Sequence, residues 1–120
     1  MRYHADARRR FWGDIFRTAE YDINAVQLFP GVVIAWHRHQ YQDDKLFALY
    51  GQVDLQAIDP EGQRHTWNMD SHTQLPVCIP RGWWHGYQSR YGATLIQLNG
   101  PRKYDGSDEE RMGLDVMPWA

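Results

Sequence analysis

Residues 31–39 read Gly31-Val-Val-Ile-Ala-Trp-His37-Arg-His39, and Asp44 and Gly51 follow a short distance later. Side chains two positions apart in an extended strand leave the same face, which would put His37 and His39 roughly 6.5–7 Å apart on one side. Imidazole rings on an interior face are costly to bury unless they have polar partners. The stretch therefore indicates a polar site carried by a β-strand, in which the histidines meet a metal, a substrate or each other through water.

On both sides of this stretch, apolar and polar residues alternate with a period of two, and glycine and proline interrupt the pattern. The alternation predicts extended segments over residues 22–29, 32–39, 45–59, 64–69, 74–79, 83–87 and 93–98. In the second segment, it predicts that one face is shared by Val33, Ala35, His37 and His39. A short helical turn is expected around residues 7–16. Many short strands with so little helix predict an all-β barrel or a double-sheet jelly roll.

The length of 120 residues indicates a single domain. We expect a barrel core over residues 20–100, an N-terminal arm over residues 1–19 and a C-terminal tail over residues 101–120. The net charge is −2 and the basic residues are dispersed, so nothing indicates a nucleic-acid partner. No apolar stretch approaches the length that spans a bilayer, so we expect no membrane partner.

A cytoplasmic location is the expectation from two further features. Cys78 is the one cysteine, and an unpaired cysteine is typical of a reducing compartment. It lies in the apolar run 75–79, which predicts a buried thiol rather than a nucleophile. The first residues, Met1-Arg-Tyr-His-Ala-Asp6, lack the apolar stretch of a signal peptide.

The strongest candidate cluster consists of His37, His39, Asp44 and His85. Two histidines on one strand face can chelate a metal, and three nitrogens with one carboxylate oxygen suit Mn, Fe, Ni, Cu or Zn. Without a metal, His37 can act as a general base while His39 and His85 orient an anionic or carbonyl-bearing ligand. The residues alone leave both chemistries open.

Two segments resemble the motifs of the cupin superfamily. Residues 31–51 read Gly-x5-His-x-His-x4-Asp-x6-Gly, which resembles the first cupin motif with Asp44 in the place of the usual glutamate. Residues 80–89 read Pro-x-Gly-x2-His-x3-Ser, which resembles the second motif with Ser89 in the place of the usual asparagine. The resemblance implies a single-domain cupin, that is, a double-stranded β-helix or jelly-roll barrel.

A finer resemblance points to enzymes that act on dTDP sugars. Residues 31–37 are similar to the Gly-Val-x-Arg-Gly-Leu-His strand of the dTDP-4-dehydrorhamnose 3,5-epimerases, and residues 79–87 to their Ile-Pro-x-Gly-Phe-x-His-Gly-Phe segment. The tail over residues 103–115 is similar to their Tyr-x-Pro-x-x-Glu segment ahead of Asp-Pro. The pair His37-x-His39 also resembles the His-Ala-His of the dTDP-sugar 3,4-ketoisomerases, relatives that work without a metal.

The resemblance implies roles for individual residues. His37 matches the epimerase histidine that removes a proton next to the sugar's ketone, and His39 matches the second histidine of the ketoisomerases. The lysine that stabilises the enolate in the epimerases falls on Asp44 here, with Lys45 beside it. An imidazole suits this proton transfer because its pKa lies near the working pH.

The acid of the epimerases, a tyrosine in the last strand, falls on Gln97, and Tyr104 is the nearest replacement. The resemblance thus implies a catalytic set, which is His37, His39 and Tyr104. It also implies substrate-binding roles for His85, Gln97 and Lys45. The residues themselves add Trp83, whose ring can stack on a sugar or base, and Arg81, whose guanidinium group can meet a phosphate.

The leading hypothesis is an enzyme without a cofactor, an isomerase of the epimerase or ketoisomerase type that acts on a dTDP-4-keto-6-deoxy sugar. The alternative is a cupin that uses a divalent transition metal for dioxygenase-type or other metal-assisted chemistry, with the ligands His37, His39, Asp44 and His85. A third reading is a sugar-binding cupin without catalysis. We expect a homodimer, because the open edges of small sheets leave backbone groups that need partners.

Overall fold

The computed structural model describes residues 1–72, 76–101 and 109–120. These residues form ten β-strands and no helix. The strands are β1 Arg2–Ala5, β2 Arg9–Arg17, β3 Asp22–Leu28, β4 Val33–His39, β5 Gln42–Ile58, β6 Arg64–Asp70, β7 Val77–Ile79, β8 Trp84–Gln88, β9 Ala93–Pro101 and β10 Glu109–Arg111. Since no helix occurs in the described residues, none of them forms a helical membrane span.

The long strand β5 joins two antiparallel sheets. Its first part, Gln42–Gly51, pairs with β9, which continues through β3 and β2 to β1, while the short β7 pairs on the other side of β5. Its second part, Gln52–Ile58, pairs with β6 and β8, and β8 continues through β4 to β10. The two sheets thus fold over each other as a curled barrel, which is the all-β architecture that the alternating pattern predicts.

Gly51 lies where β5 passes from the first sheet to the second. Its φ is 78°, and a Cβ built there would lie 2.6 Å from the carbonyl oxygen of Gly92. A side chain at this position would therefore clash with backbone as well as strain the left-handed conformation. The glycine that ends the first motif in the sequence is thus needed for the bend of the longest strand.

The hydrophobic core lies between the sheets and is made by inward-facing residues of both. Alternate positions of β3, β5 and β9 are buried, as period-two strands require. The core cluster comprises Val26, Leu28, Ile34, Leu46, Ala48, Val53, Leu55, Ala57, Met69, Ile79, Tyr87, Ala93 and Leu95.

The seven extended segments that the sequence predicts correspond to β3 through β9. The helical turn expected around residues 7–16 is wrong, because Arg9–Arg17 is a strand in register with β3. Phe11 packs against the core from this strand, which explains why the segment joins the sheet. Cys78 is also exposed rather than buried, because it faces outward from β7, a three-residue strand that pairs only with β5 among the described strands.

A bulge in β4 changes which side chains point inward. Ala35 pairs with Gly86, but the next pair is His37 with His85, so β4 gains one residue against β8. Ile34 therefore lies in the core ahead of the bulge, and His37 and His39 point inward after it. The prediction that Val33 and Ala35 share the face of the two histidines is wrong, since a regular period of two cannot include the extra residue.

Candidate functional site

A cavity of about 180 Å³ opens between the two sheets. Since one water needs roughly 10–15 Å³ by this measure, the cavity has room for a small organic ligand rather than a single ion or water. The first sheet supplies Arg2, His4, Arg9, Phe11, Asn24, Gln42, Asp44, Gln97 and Asn99. The second sheet supplies His37, His39, His85, Tyr87, Glu109 and Arg111.

Asp44 lies at the centre of a buried polar network. Its Oδ2 is 3.0 Å from His85 Nε2 and 3.7 Å from His39 Nε2. Its Oδ1 accepts hydrogen bonds from Gln42 Nε2 at 2.9 Å and from Asn99 Nδ2 at 2.5 Å. Each carboxylate oxygen therefore has polar partners, which is how a buried carboxylate is tolerated.

The network keeps Asp44 ionised. Burial raises the pKa of its carboxyl group, but the hydrogen bond from His85 and the charges of His85 and His39 lower it by more. The net pKa lies below the ordinary value of 3.8. Asp44 is thus a fixed negative charge at the cavity wall and has no proton to give.

His37 has a different partner. Its Nδ1 lies 3.4 Å from Glu109 Oε1, because β10 pairs with β4 and brings Glu109 alongside the histidines. Its Nε2 is buried at the cavity and makes no hydrogen bond with any residue that the structure describes. Burial lowers the pKa of His37 below 6.5, and Glu109 offsets part of this effect. The ring is therefore neutral near pH 7, and Nε2 can accept a proton from a ligand.

Tyr87 brings the phenol of a largely buried side chain to the same cavity. Its hydroxyl accepts a hydrogen bond from Gln97 Nε2 at 3.0 Å. Burial raises the pKa of Tyr87, while the guanidinium of Arg9 acts in the opposite direction. The phenol is therefore protonated at working pH.

Cationic side chains surround the other polar groups of the cavity. Arg2 and Arg111 are half exposed and pair with Asp14 at 3.0 Å and Glu109 at 3.3 Å. Arg9 is more enclosed, and its Nε is buried without a hydrogen bond in the described part of the chain. Guanidinium groups at a cavity suit carboxylate or phosphate ligands, which they bind through paired N–H groups.

One group of side chains can also hold a metal. Donor atoms of His39, Asp44 and His85 all lie within 4.8 Å of one another, and the three residues are buried. Two imidazoles and a carboxylate fit a divalent transition metal. His37 is not in this group. All four ligands expected from the sequence thus line the cavity, but only three of them, His39, Asp44 and His85, form a compact group.

Of the predicted site residues, the cavity brings together His37, His39, Asp44, His85 and Gln97. Lys45, Arg81 and Trp83 lie elsewhere, and Tyr104 lies outside the described residues.

Each of the three outlying residues has another partner. Lys45 follows Asp44 on the strand and so faces the opposite side, where its Nζ lies 3.3 Å from the hydroxyl of Tyr21. Arg81 binds the carboxylate of Asp43 through its backbone and guanidinium nitrogens. The ring of Trp83 packs against the core, 4.8 Å from the ring of His65.

The sequence pattern does not predict Glu109, Tyr87 or the amides around Asp44 as parts of the site. A signal for the amides exists, because Asn24 continues the inward face of Val26 and Leu28 on β3, and Asn99 continues that of Ala93 and Leu95 on β9. The Asn24 amide donates to Asn99 Oδ1, which continues the network from Asp44. No comparable signal marks Glu109, since three residues of a polar tail do not show a strand period.

Comparisons with known proteins were made by sequence and by structure. No family model matches the chain. A curated relative is the probable low-salt glycan biosynthesis epimerase Agl13 of Haloferax volcanii, which is 31% identical over 97 positions that cover 72% of the chain. The chain spans 62% of that relative's length.

Solved structures agree in fold. The capsular polysaccharide assembling protein CapF of Staphylococcus aureus superposes with a TM-score of 0.81 at 15% identity, over 92% of this chain and 31% of CapF. Oxalate decarboxylase of Bacillus subtilis gives 0.79 at 13% identity, over 92% of this chain and 30% of the enzyme. The chain has the cupin fold. The dTDP-4-dehydrorhamnose 3,5-epimerase of Sulfolobus tokodaii gives 0.72 at 21% identity, over 81% of this chain and 60% of that cupin.

Proposed function

We propose that this cupin is an isomerase of a nucleotide sugar, which moves a proton at a carbon next to a ketone. The observation that carries the proposal is His37, whose Nδ1 faces the carboxylate of Glu109 while its buried Nε2 has no hydrogen bond to a described residue. The relation to a glycan biosynthesis epimerase and the fold shared with a dTDP-sugar epimerase support the same assignment.

In the proposed reaction, His37 Nε2 takes the proton from the carbon next to the ketone. A neutral imidazole is required, and the burial that lowers the pKa of His37 supplies it near pH 7. As the ring becomes an imidazolium, its positive charge is stabilised by Glu109. A histidine oriented by a carboxylate thus has both the tautomer and the charge partner that a general base needs.

The electron pair left by the proton moves onto the ketone oxygen as an enolate. A negative oxygen in a buried site needs a positive charge or hydrogen-bond donors aimed at it. Lys45 cannot serve, because it faces away from the cavity. The guanidinium group of the more enclosed Arg9 lines the cavity and supplies this charge, and the half-exposed Arg2 and Arg111 suit the phosphates of the nucleotide.

The test is exchange of a sugar C–H hydrogen with deuterated water. The native protein, incubated with dTDP-4-keto-6-deoxyglucose, should incorporate deuterium next to the ketone, as read by NMR or mass spectrometry. His37→Asn should slow the exchange by about 10²-fold or more, because the base is lost. His72→Asn is the matched control, since His72 is exposed and outside the cavity. Tight binding of the sugar without any exchange would reject catalysis in favour of a sugar-binding role.

Metal-assisted chemistry is the second candidate, and the compact group of His39, Asp44 and His85 favours it. A metal held there would act as a Lewis acid on a ligand oxygen. Protein purified without chelators should then carry close to one equivalent of a transition metal by elemental mass spectrometry, and Asp44→Asn should lower that content. A content far below one equivalent, unchanged by added Mn²⁺, Fe²⁺ or Zn²⁺, would reject this candidate.

A further inference from the structure

Gln42 carries a buried acceptor that no described residue satisfies. The residue is the first of β5 and leaves the same inward face as Asp44, two positions further on. It lines the cavity and is only 3% exposed, and its Oε1 receives no hydrogen bond from the part of the chain that the structure describes. A buried carbonyl oxygen without a donor is destabilising, so this atom calls for a partner from outside the chain.

Asp44 decides which way the Gln42 amide faces. A carboxylate offers only acceptors, so the NH2 group of Gln42 must point to it, and Nε2 donates to Asp44 Oδ1 at 2.9 Å. The reversed amide would set Oε1 against Oδ1, two acceptors without a hydrogen between them. The hydrogen-bond network therefore assigns the amide, and the atom left without a partner is the acceptor rather than the donor.

The other amides that lead to Asp44 have both of their ends satisfied. Asn99 Nδ2 donates to Asp44 Oδ1, and Asn99 Oδ1 accepts from the amide of Asn24. Asn24 Oδ1 in turn accepts from the backbone N–H of Asp14 at 2.8 Å. Among the described amides that donate to Asp44, Gln42 is thus the one whose carbonyl oxygen has no donor. The network is closed on the side of Asn24 and open on the side of Gln42.

The open acceptor and the proposed base lie at the two ends of one series of contacts. Gln42 binds Asp44, whose Oδ2 lies 3.0 Å from His85 Nε2. The ring of His85 in turn lies 6.1 Å from the ring of His37. A ligand that fills the cavity can therefore present a C–H bond to His37 and a hydrogen-bond donor to Gln42. A keto sugar supplies both, because its ring carries C–H bonds next to the ketone and hydroxyls on other carbons.

We propose that Gln42 determines which sugars this cupin accepts, by receiving a hydrogen bond from a ring hydroxyl of the substrate at Oε1. This inference rests on the proposed function, since it takes a nucleotide-linked keto sugar as the ligand. It narrows the substrate class to keto sugars that keep the hydroxyl facing Gln42. A deoxy analogue would leave Oε1 buried without a donor, and a site that hydrogen-bonds a substrate hydroxyl rejects such an analogue for this reason.

The experiment measures by calorimetry the binding of dTDP-4-keto-6-deoxyglucose and of its 2-deoxy and 3-deoxy analogues. The native protein should bind one of the analogues about 10- to 100-fold more weakly than the parent sugar. Gln42→Met keeps the length of the side chain and removes its carbonyl, so it should weaken binding of the parent sugar and leave that analogue within a few-fold. The discrimination between the two sugars should thus collapse. Gln63→Met is the matched control, because Gln63 is exposed and outside the cavity, and it should discriminate as the native protein does.

The outcomes separate this inference from the proposed function. Native protein that binds none of the three sugars and catalyses no exchange overturns both. Native protein that exchanges the parent sugar but binds both analogues as tightly overturns only the role of Gln42, and this result needs no variant. Discrimination that persists in Gln42→Met also overturns that role, because another group then holds the hydroxyl. Should Gln42→Met fail to fold, Gln42→Asn, whose shorter side chain draws the carbonyl back, must lose the discrimination instead.

Discussion

At the scale of single residues, Glu109 distinguishes His37 from the two other buried histidines of the cavity, His39 and His85. His39 and His85 both face Asp44, whereas His37 faces a carboxylate from β10. Burial alone would make His37 a weak base by destabilising its charged form, and Glu109 restores part of that basicity. A group that must be neutral before the reaction and charged during it needs both effects.

Removing the charge of Glu109 should therefore shift the pH profile. His37 must be neutral to act, so activity falls as the pH drops through its pKa, which already lies below 6.5. Glu109→Gln removes a stabiliser of the imidazolium, so the acid limb of kcat/KM should move to lower pH. The plateau of kcat/KM at higher pH should fall about 10–100-fold, because the base is weaker. Glu110→Gln, whose carboxylate pairs with the half-buried Arg38, should leave the profile unchanged. An acid limb at the native pH in Glu109→Gln would contradict the role.

The sequence predicts the histidines of the site better than their supporting residues. His37, His39, His85 and Asp44 could be found because motif spacing marks them. The tyrosine hydroxyl of the cavity could not be predicted in the same way. The resemblance places a tyrosine at position 97 and a phenylalanine at position 87, whereas this chain has Gln97 and Tyr87. The contact between the side chains of Gln97 and Tyr87 forms only in the folded barrel, so the sequence does not reveal it.

At the scale of elements, the C-terminal tail holds β10 and thereby Glu109. Past β10, the Met112 and Trp36 backbones exchange hydrogen bonds at 3.0 and 3.1 Å. Trp36 Nε1 donates to the Met117 carbonyl at 2.7 Å, and the rings of Trp36 and Trp119 lie 5.4 Å apart. Trp36 points out of the cavity because of the bulge in β4, so the same irregularity that turns His37 inward gives the tail its anchor.

Weakening this anchor should affect catalysis at a distance. Trp119→Ala removes the ring that packs on Trp36 and should loosen β10, so that Glu109 contacts His37 for less of the time. We expect a lower kcat and an acid limb of the pH profile at lower pH, as in Glu109→Gln. The free energy of unfolding should fall by something of the order of 3 kcal/mol or less. Trp119→Phe, which keeps an aromatic ring on Trp36, should restore the pH profile and the stability. A loss of stability without any shift of the pH profile would show that the tail does not position the carboxylate.

The strands themselves show what periodicity can and cannot reveal. The alternation predicts β3 through β9, because buried apolar residues recur at every second position along much of these strands. It fails at β2, where the basic run Arg8-Arg9-Arg10 obscures the strand even though Phe11 packs on the core. It fails again at the bulge, since one inserted residue reverses the faces of β4, and only the pairing with β8 reveals the insertion.

At the scale of the whole molecule, the outer face of the first sheet carries an apolar row. Tyr3 pairs with Trp12, Trp12 with Ala25, Ala25 with Ile96 and Ile96 with Phe47, so the row crosses five strands. With strands about 4.8 Å apart, this row is roughly 20 Å wide, comparable to the core of a standard protein interface. The expected homodimer remains a prediction, and this face rather than a sheet edge is where we expect it to form.

A charge at the centre of the row tests the expectation. Ile96 lies between Ala25 and Phe47, so Ile96→Lys would place an ammonium group in the middle of the contact, where burying it is costly. Sedimentation should give a dimer for the native protein at micromolar concentration and a monomer for Ile96→Lys. Gln27→Lys is the matched control, because Gln27 lies on the same face beside the polar Arg10 and Thr94. The cavity opens between the sheets rather than on this face, so the monomer should keep its exchange activity. A native protein that sediments as a monomer at every concentration would contradict the dimer.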